Sequence, residues 1–100
     1  MLFIITHTFK ENVADKRAAL RDQHIAHLKG AGDRLKAAGP LHGDDSLTNA
    51  IGSMIIIDAQ SQTAANLFAE TDPYASEELT MVTTVVPWQE VLGNWIDGDQ

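Results

Sequence analysis

Two histidines interrupt the apolar stripe of a long helix that the sequence predicts from Val13 to Ala38. At about 100° per residue, His24 and His27 share an arc of roughly 100° with the apolar side chains of the helix, which are Val13, Leu20, Leu28, Ala31 and Leu35. An imidazole at a position that favours leucine conflicts with packing, and such conflicts are typical of functional sites. Because an imidazole can take up and return a proton near neutral pH, His24 is a candidate general acid and base.

A strand precedes this helix in the prediction. Leu2 to Phe9 is rich in β-branched and aromatic residues, which is typical of a strand buried on both faces. Asn12 is the expected N-cap of the helix, and Gly39-Pro40 is its expected end, since proline cannot continue the helical hydrogen bonds. Residues Leu41 to Ala50 are typical of a loop, although the start of this segment can pair as a short strand.

The second half of the chain predicts two further strands around a short helix. The strands are Ser53 to Ala59 and Leu79 to Pro87. Ser61 is the expected cap of the helix, which ends at Asp72-Pro73 because the residue before proline avoids the helical conformation. The order β-α-(β)-β-α-β predicts a ferredoxin-like α+β fold, with two helices on one face of an antiparallel sheet. Trp88 to Gln100 carries apolar residues at helical spacing, and we expect this tail to pack down.

Both faces of the predicted sheet are mostly apolar, because alternate residues in each strand are apolar on both sides. The two helices cover only one of these faces. A second copy of the same sheet is the simplest cover for the other face. We therefore expect a homodimer whose two sheets close into a dimeric α/β barrel.

The composition limits the classes of partner. One hundred residues fit one domain, and the lack of cysteine is compatible with a reducing cytoplasm, where we expect the protein to lie. The N-terminal apolar run, Met1 to Ile5, is too short for the apolar region of a signal peptide or for a membrane span, so we expect neither. The net charge of −7 disfavours nucleic acid. All seven basic residues precede residue 37, so an anionic small molecule would find its cations on or beside the first helix.

Five short motifs resemble the YCII-related (YciI-like) family of the dimeric α/β-barrel superfamily. They occur in the family's order over residues 1–92, which leaves 93–100 as a C-terminal extension. The matching positions are Arg21-Asp22-Gln23-His24-Ile25-Ala26-His27-Leu28, Gly39-Pro40, Gly52, Asp72-Pro73-Tyr74 and Pro87-Trp88. The chain departs from the family pattern at Asp22, where proline is common, and at Glu77-Glu78-Leu79, where a small-Gly-Leu run is usual.

The resemblance implies a ferredoxin-like dimer with a His–Asp site, carried here onto His24 and Asp72. A carboxylate on one nitrogen of an imidazole fixes its tautomer and orientation, and the other nitrogen then faces the substrate. The alternative for Asp72 is a turn aspartate that binds its own backbone, which is common before proline. One similar protein is a dehydrochlorinase of a chlorinated hydroxyquinol, and most members of the family have no established activity.

The remaining candidates would bind the substrate rather than react with it. We expect this set to be Arg21, His27, Gly39, Pro40 and Tyr74. Arg21 suits an anionic oxygen, or else it pairs with a surface acid. His24 and His27 are spaced so that they could share a metal, but no metal-binding signature accompanies them, and we expect neither metal nor organic cofactor. His7 and His42 are expected at a pocket rim or in solvent.

These residues support two functions from different classes. The first is a cofactor-independent enzyme of the lyase or isomerase type, in which His24 moves a proton of a small oxygenated cyclic substrate. The second is a non-catalytic dimeric module that binds a small metabolite or another protein. The His–Asp pair of such a module would be structural or pH-responsive.

Overall fold

A four-stranded antiparallel sheet with helices packed on one face forms the ferredoxin-like α+β fold that the sequence predicts. The computed structural model describes residues 1–93. The sheet order is β2-β3-β1-β4. In chain order the elements are β1 (Leu2–Phe9), α1 (Ala14–Lys29), a 3₁₀ turn (Gly32–Arg34), β2 (Leu35–His42), β3 (Ala50–Asp58), α2 (Gln62–Glu70), α3 (Pro73–Ser76) and β4 (Thr80–Trp88).

Strand β1 lies in the middle of the sheet and supplies the centre of the core. Its odd-numbered side chains point towards the helices, because successive side chains of a strand alternate between its faces. Phe3 and Ile5 are almost completely buried there. They pack in one cluster with side chains of β3 and of both longer helices, including Ile55, Ile57, Leu28, Ala65 and Ala69. Packing of this kind fixes α1 and α2 over the sheet.

The first helix is shorter than predicted. It ends at Lys29, and the chain passes through the 3₁₀ turn into β2, so the expected helical continuation to Ala38 is wrong. Gly32 adopts a φ of 59°, a left-handed conformation that breaks the helix. Pairing with β3 then holds the following residues in a strand. Gly39 and Pro40 lie inside β2 instead of ending a helix, and an edge strand tolerates proline.

The caps differ between the helices. Asn12 is not the N-cap of α1: Val13 holds that position without a side-chain cap, and Asn12 adopts a φ of 61°. The prediction for Ser61 is confirmed, since its hydroxyl accepts the backbone N–H of Ala64 at 3.1 Å. Helix α2 ends at Glu70, and Asp72 instead caps α3.

The face of the sheet opposite the helices is mostly apolar, and no element of residues 1–93 covers it. Its members include Ile4 and Val86, which are paired in register, and Val82 and Val86 are about half exposed. The expected packing of the tail is not seen over 89–93, where Val91 and Leu92 are exposed. Trp95 and Ile96 lie outside the described residues. Within those residues, no helix is long and apolar enough to cross a membrane.

Candidate functional site

His24 and Asp72 are in direct contact. The Nδ1 atom of His24 lies 2.8 Å from Oδ1 of Asp72, although 48 positions separate the two residues in the chain. Helix α1 supplies the histidine from its buried face, and the turn between α2 and α3 supplies the carboxylate. Asp72 is completely buried and His24 is 8% exposed. With the carboxylate ionised, Nδ1 of His24 carries the proton and donates it, which leaves Nε2 with a free lone pair.

The carboxylate of Asp72 is fixed from two sides. Its Oδ1 also accepts the backbone N–H of Tyr74 at 3.0 Å, as an N-cap of α3. Pro73 occupies the first turn of α3, where its fixed φ and missing N–H suit the position. The backbone bond of a turn aspartate, which is the alternative interpretation of Asp72, is therefore present. The same oxygen makes the backbone bond and the contact with His24.

Tyr74 forms an aromatic wall beside the pair. Its ring stacks on the imidazole of His24 with centroids 4.1 Å apart and planes 12° apart. The rings of Phe9 and Tyr74 are nearly perpendicular, with centroids 5.7 Å apart. Burial raises the pKa of the Tyr74 phenol, while the cationic Arg17 and Arg21 act in the opposite direction. The stacked ring of Tyr74 and the carboxylate of Asp72 together hold the imidazole of His24 in one plane.

A cavity of about 420 Å³ opens in front of His24. Helix α1, strands β2 and β3 and Tyr74 enclose it. Four of the five predicted substrate-binding residues line this cavity, namely Arg21, Gly39, Pro40 and Tyr74. The cavity has the size of sites that hold small organic ligands.

The cavity also has lining residues that the sequence reasoning did not select. Arg17 places its guanidinium over the ring of Phe9, 4.5 Å from the centroid. Ser53 of β3 is buried, and its hydroxyl has no hydrogen-bond partner within residues 1–93. The sequence does indicate Arg17, because residues 17, 21 and 24 are spaced by four and three positions and so lie on one face of a helix.

His27 does not line the cavity that His24 borders. Its Nε2 donates a hydrogen bond to the backbone carbonyl of Phe68 at 2.9 Å, and its ring stacks on the Phe68 ring at 4.2 Å. These contacts join α1 to α2. In the part of the chain that the structure describes, no three His, Asp or Glu side chains are grouped as metal ligands.

His7 lies in the core, and the expectation of a rim or solvent position is wrong. Its side chain is fully buried, and Nδ1 is 2.8 Å from the hydroxyl of Thr83 on β4. Nε2 lies 3.8 Å from Oδ2 of Asp72. Burial lowers the pKa of His7 below 6.5, with Asp72 opposing the shift. The sequence contains a pattern that predicts this burial, because His7 lies at alternate positions of the strand with the apolar residues Phe3 and Ile5 and therefore on the same face. His42, the last residue of β2, is half-buried.

The sequence model described as the YCII-related domain matches residues 1–89. The chain belongs to this family. It is 32% identical over 98 residues to Protein YciI of Escherichia coli O6:H1, covering 92% of this chain and all of that protein. It is 33% identical, with the same coverage, to an uncharacterized protein of Haemophilus influenzae.

Two solved structures extend the comparison for this YCII-related domain. The 5-chloro-2-hydroxyhydroquinone dehydrochlorinase TftG of Burkholderia phenoliruptrix AC1100, in complex with 2,5-dihydroxybenzoquinone, is 27% identical with a TM-score of 0.81. That alignment covers 91% of this chain and 96% of TftG. An antibiotic biosynthesis monooxygenase, 15% identical with a TM-score of 0.55 over 92% and 100% of the two chains, shares the fold alone.

Proposed function

We propose that this YCII-related protein is a small-molecule enzyme of the lyase or isomerase type, in which His24 transfers a proton without an organic cofactor. The observation that carries the proposal is the 2.8 Å contact between His24 and the buried Asp72 at the wall of a ligand-sized cavity. A carboxylate behind the imidazole holds the ring in one tautomer and stabilises the imidazolium that forms when Nε2 takes a proton. Asp72 orients His24, and His24 acts on the substrate.

One base, His24, is enough to remove and return the proton in both types of reaction. Nε2 of His24 removes a proton from an atom next to a carbonyl or phenol oxygen, and the electron pair moves into a new double bond. In an isomerisation the same imidazolium returns the proton to another atom of the substrate. In an elimination the electron pair expels an anionic leaving group such as chloride, and the imidazolium loses its proton to solvent.

The walls of the cavity favour a flat, oxygen-rich and anionic substrate. Tyr74 and His24 present stacked rings, against which a planar molecule can pack. Arg17 and Arg21 supply positive charge at the same cavity, while the chain as a whole is acidic. The similarity to TftG, a dehydrochlorinase of 5-chloro-2-hydroxyhydroquinone, supports an oxygenated six-membered ring as the substrate class.

The open face of the sheet supports the homodimer. Ile4, Ile56 and Val86 lie side by side in register across three strands, and the described chain leaves this face without a covering layer. An identical sheet matches an apolar face of this kind, because a two-fold axis brings the same residues together. Sedimentation of the purified protein as a dimer supports this assembly, and a monomer at micromolar concentration contradicts it.

The test of the catalytic role compares two variants of α1. His24→Asn keeps an amide N–H near the position of Nδ1 for Asp72 but has no group at the position of Nε2. Gln23→Ala changes an exposed neighbour and is the matched control. With 5-chloro-2-hydroxyhydroquinone and related hydroxyquinols, lactones and enols, we expect the wild type and Gln23→Ala to release product and His24→Asn to lose turnover on the order of 10²-fold or more.

The outcomes separate the two candidate classes. Equal turnover by the wild type and His24→Asn contradicts the proposed role of His24. Thermal stabilisation by a ring compound, without product from any compound of the panel, supports instead a non-catalytic binding module. Retained ligand binding by His24→Asn would strengthen that second result.

A further inference from the structure

His7 stands in a row of polar side chains that crosses the sheet beneath the His24–Asp72 pair. It is in register with Ser53 of β3 on one side and with Thr83 of β4 on the other. Residues paired in register point to the same face of a sheet, which here is the face covered by the helices. Within a core otherwise made of Phe, Ile, Leu and Ala, this row places a fully buried imidazole directly under Asp72.

Each nitrogen of His7 faces a different partner. Nδ1 meets the Thr83 hydroxyl at 2.8 Å, and Nε2 faces Oδ2 of Asp72 at 3.8 Å. Nε2 and Oδ2 are both buried, and neither has a hydrogen-bond partner within residues 1–93. A buried polar atom without a partner costs free energy, so each of these two atoms favours an approach to the other. A side-chain movement of less than 1 Å brings them to hydrogen-bond distance.

The tautomer of His7 follows from these partners. A proton on Nδ1 would leave the lone pair of Nε2 facing a carboxylate oxygen, which is repulsive. A proton on Nε2 faces the carboxylate with a donor, while Nδ1 accepts the hydroxyl proton of Thr83. The hydroxyl can rotate to serve either tautomer, so Asp72 decides between them.

We propose that His7 is a positioning residue, whose Nε2–H holds the Oδ2 oxygen of Asp72 so that Oδ1 stays directed at His24. This role adds a residue to the proposed function, and its effect on catalysis depends on the proposed proton transfer by His24. Asp72 then lies between two imidazoles, one exposed to the cavity and one sealed in the core. Only the first touches the substrate.

The surroundings of His7 keep it neutral near neutral pH. Asp72 of the α2–α3 turn is the acidic group that faces it, and His24 and His27 of α1 are the nearby bases. The cations Arg17 and Arg21 lie beyond, next to Tyr74. Burial lowers the pKa of His7 and exceeds the opposing effect of Asp72, while His24 and His27 act in the same direction as burial. A neutral His7 is a hydrogen-bond donor to Asp72 without being its counter-ion.

The experiment uses the tautomers of the two histidines, which are read from the ring ¹⁵N shifts of the labelled protein at pH 7.5 to 8. His7→Asn keeps polar atoms near the position of Nδ1 but none near Nε2, and His7→Gln keeps an amide N–H near Nε2. We expect the wild type to show His7 in the Nε2–H form and His24 in the Nδ1–H form. His7→Asn should reduce the Nδ1–H fraction of His24 measurably, and His7→Gln should retain it.

Either of two results overturns the proposal. One is a wild-type His7 in the Nδ1–H tautomer, a measurement that needs no variant and therefore holds even if His7→Asn does not fold. The other is a His24 whose ring shifts are the same in folded His7→Asn as in the wild type. Because no substrate is used, failure here leaves the proposed proton transfer by His24 untouched, and loss of that proposal leaves the tautomer test valid.

Discussion

Strands β1 and β4 are joined by one polar side-chain contact on each face of the sheet, and the two contacts lie in different surroundings. On the helix side, the fully buried His7 of β1 meets the exposed Thr83 of the edge strand β4 through Nδ1, and its Nε2 faces the buried Asp72. One residue away on the opposite side, Thr6 hydrogen-bonds to Thr84 on the open face. The strands and the register are the same, and the surroundings differ.

The difference shows that burial changes the free-energy cost of losing a hydrogen-bond partner. On the open face, a hydroxyl that loses its partner can turn to water, and the net value of such a bond is small. Under the helices, the lost partner leaves a buried polar atom unsatisfied, which costs more and is harder to repair. This difference is consistent with the proposal that the reactive site lies on the helix side of the sheet and the contact with a second subunit on the open side.

The largest effect should come from the helix side. Asp72→Asn removes the charge that holds the tautomer of His24, while an asparagine oxygen can still accept the N–H of Tyr74 and cap α3. We expect turnover of an active hydroxyquinol to fall on the order of 10²- to 10⁴-fold. Thr84→Val on the open face is the matched control. Comparable turnover by Asp72→Asn and Thr84→Val would contradict a reactive site on the helix side of the sheet.

A charge on the open face should have the second largest effect, and it should act on assembly. Val86→Asp places a carboxylate opposite Ile4 in the middle of the proposed subunit interface. We expect the dimer dissociation constant to rise on the order of 100-fold or more, as measured by sedimentation velocity over a dilution series. Ala19→Asp adds the same charge to the exposed side of α1 and should leave the dimer intact. A Val86→Asp dimer as tight as that of Ala19→Asp would mean that another surface mediates assembly.

The smallest effect should be the pH dependence that His7 adds to stability. An unfolded histidine titrates near 6.5, and the folded His7 has a lower pKa, so below pH 6.5 the unfolded chain binds more protons at this residue. The free energy of unfolding should therefore decrease as the pH falls from 6.5 towards the pKa of folded His7. Urea denaturation of the wild type and of His7→Gln between pH 7.5 and 5 isolates this contribution. A wild-type slope no steeper than that of His7→Gln would contradict it.

Much of this arrangement could be read from the sequence. The β-branched and aromatic content of Leu2 to Phe9 predicted β1 with its observed bounds. The helical stripe selected His24, and the family resemblance selected Asp72 as its partner. Both selections depend on patterns local to one segment, which a sequence displays directly.

The remainder depends on contacts between segments that are distant in the chain. Lys36, Ala37 and Ala38 are good helix formers, so the local preference continued the first helix through residues that pairing with β3 turns into β2. His7 could be placed on one face by alternation. Its approach to Asp72, however, follows from how the α2–α3 turn packs over β1, which no spacing within either segment reveals.

In the proposed mechanism, the free nitrogen Nε2 of His24 faces the bound substrate. A crystal structure of the protein with 2,5-dihydroxybenzoquinone, the compound bound in the TftG structure, tests it most directly. We predict the ring in the cavity bounded by α1, β2, β3 and Tyr74, with an oxygen within about 3.2 Å of Nε2 of His24 and the contact from Nδ1 to Asp72 intact. A ring bound elsewhere on the molecule, or bound in the cavity with Nε2 facing none of its oxygens, would contradict the account.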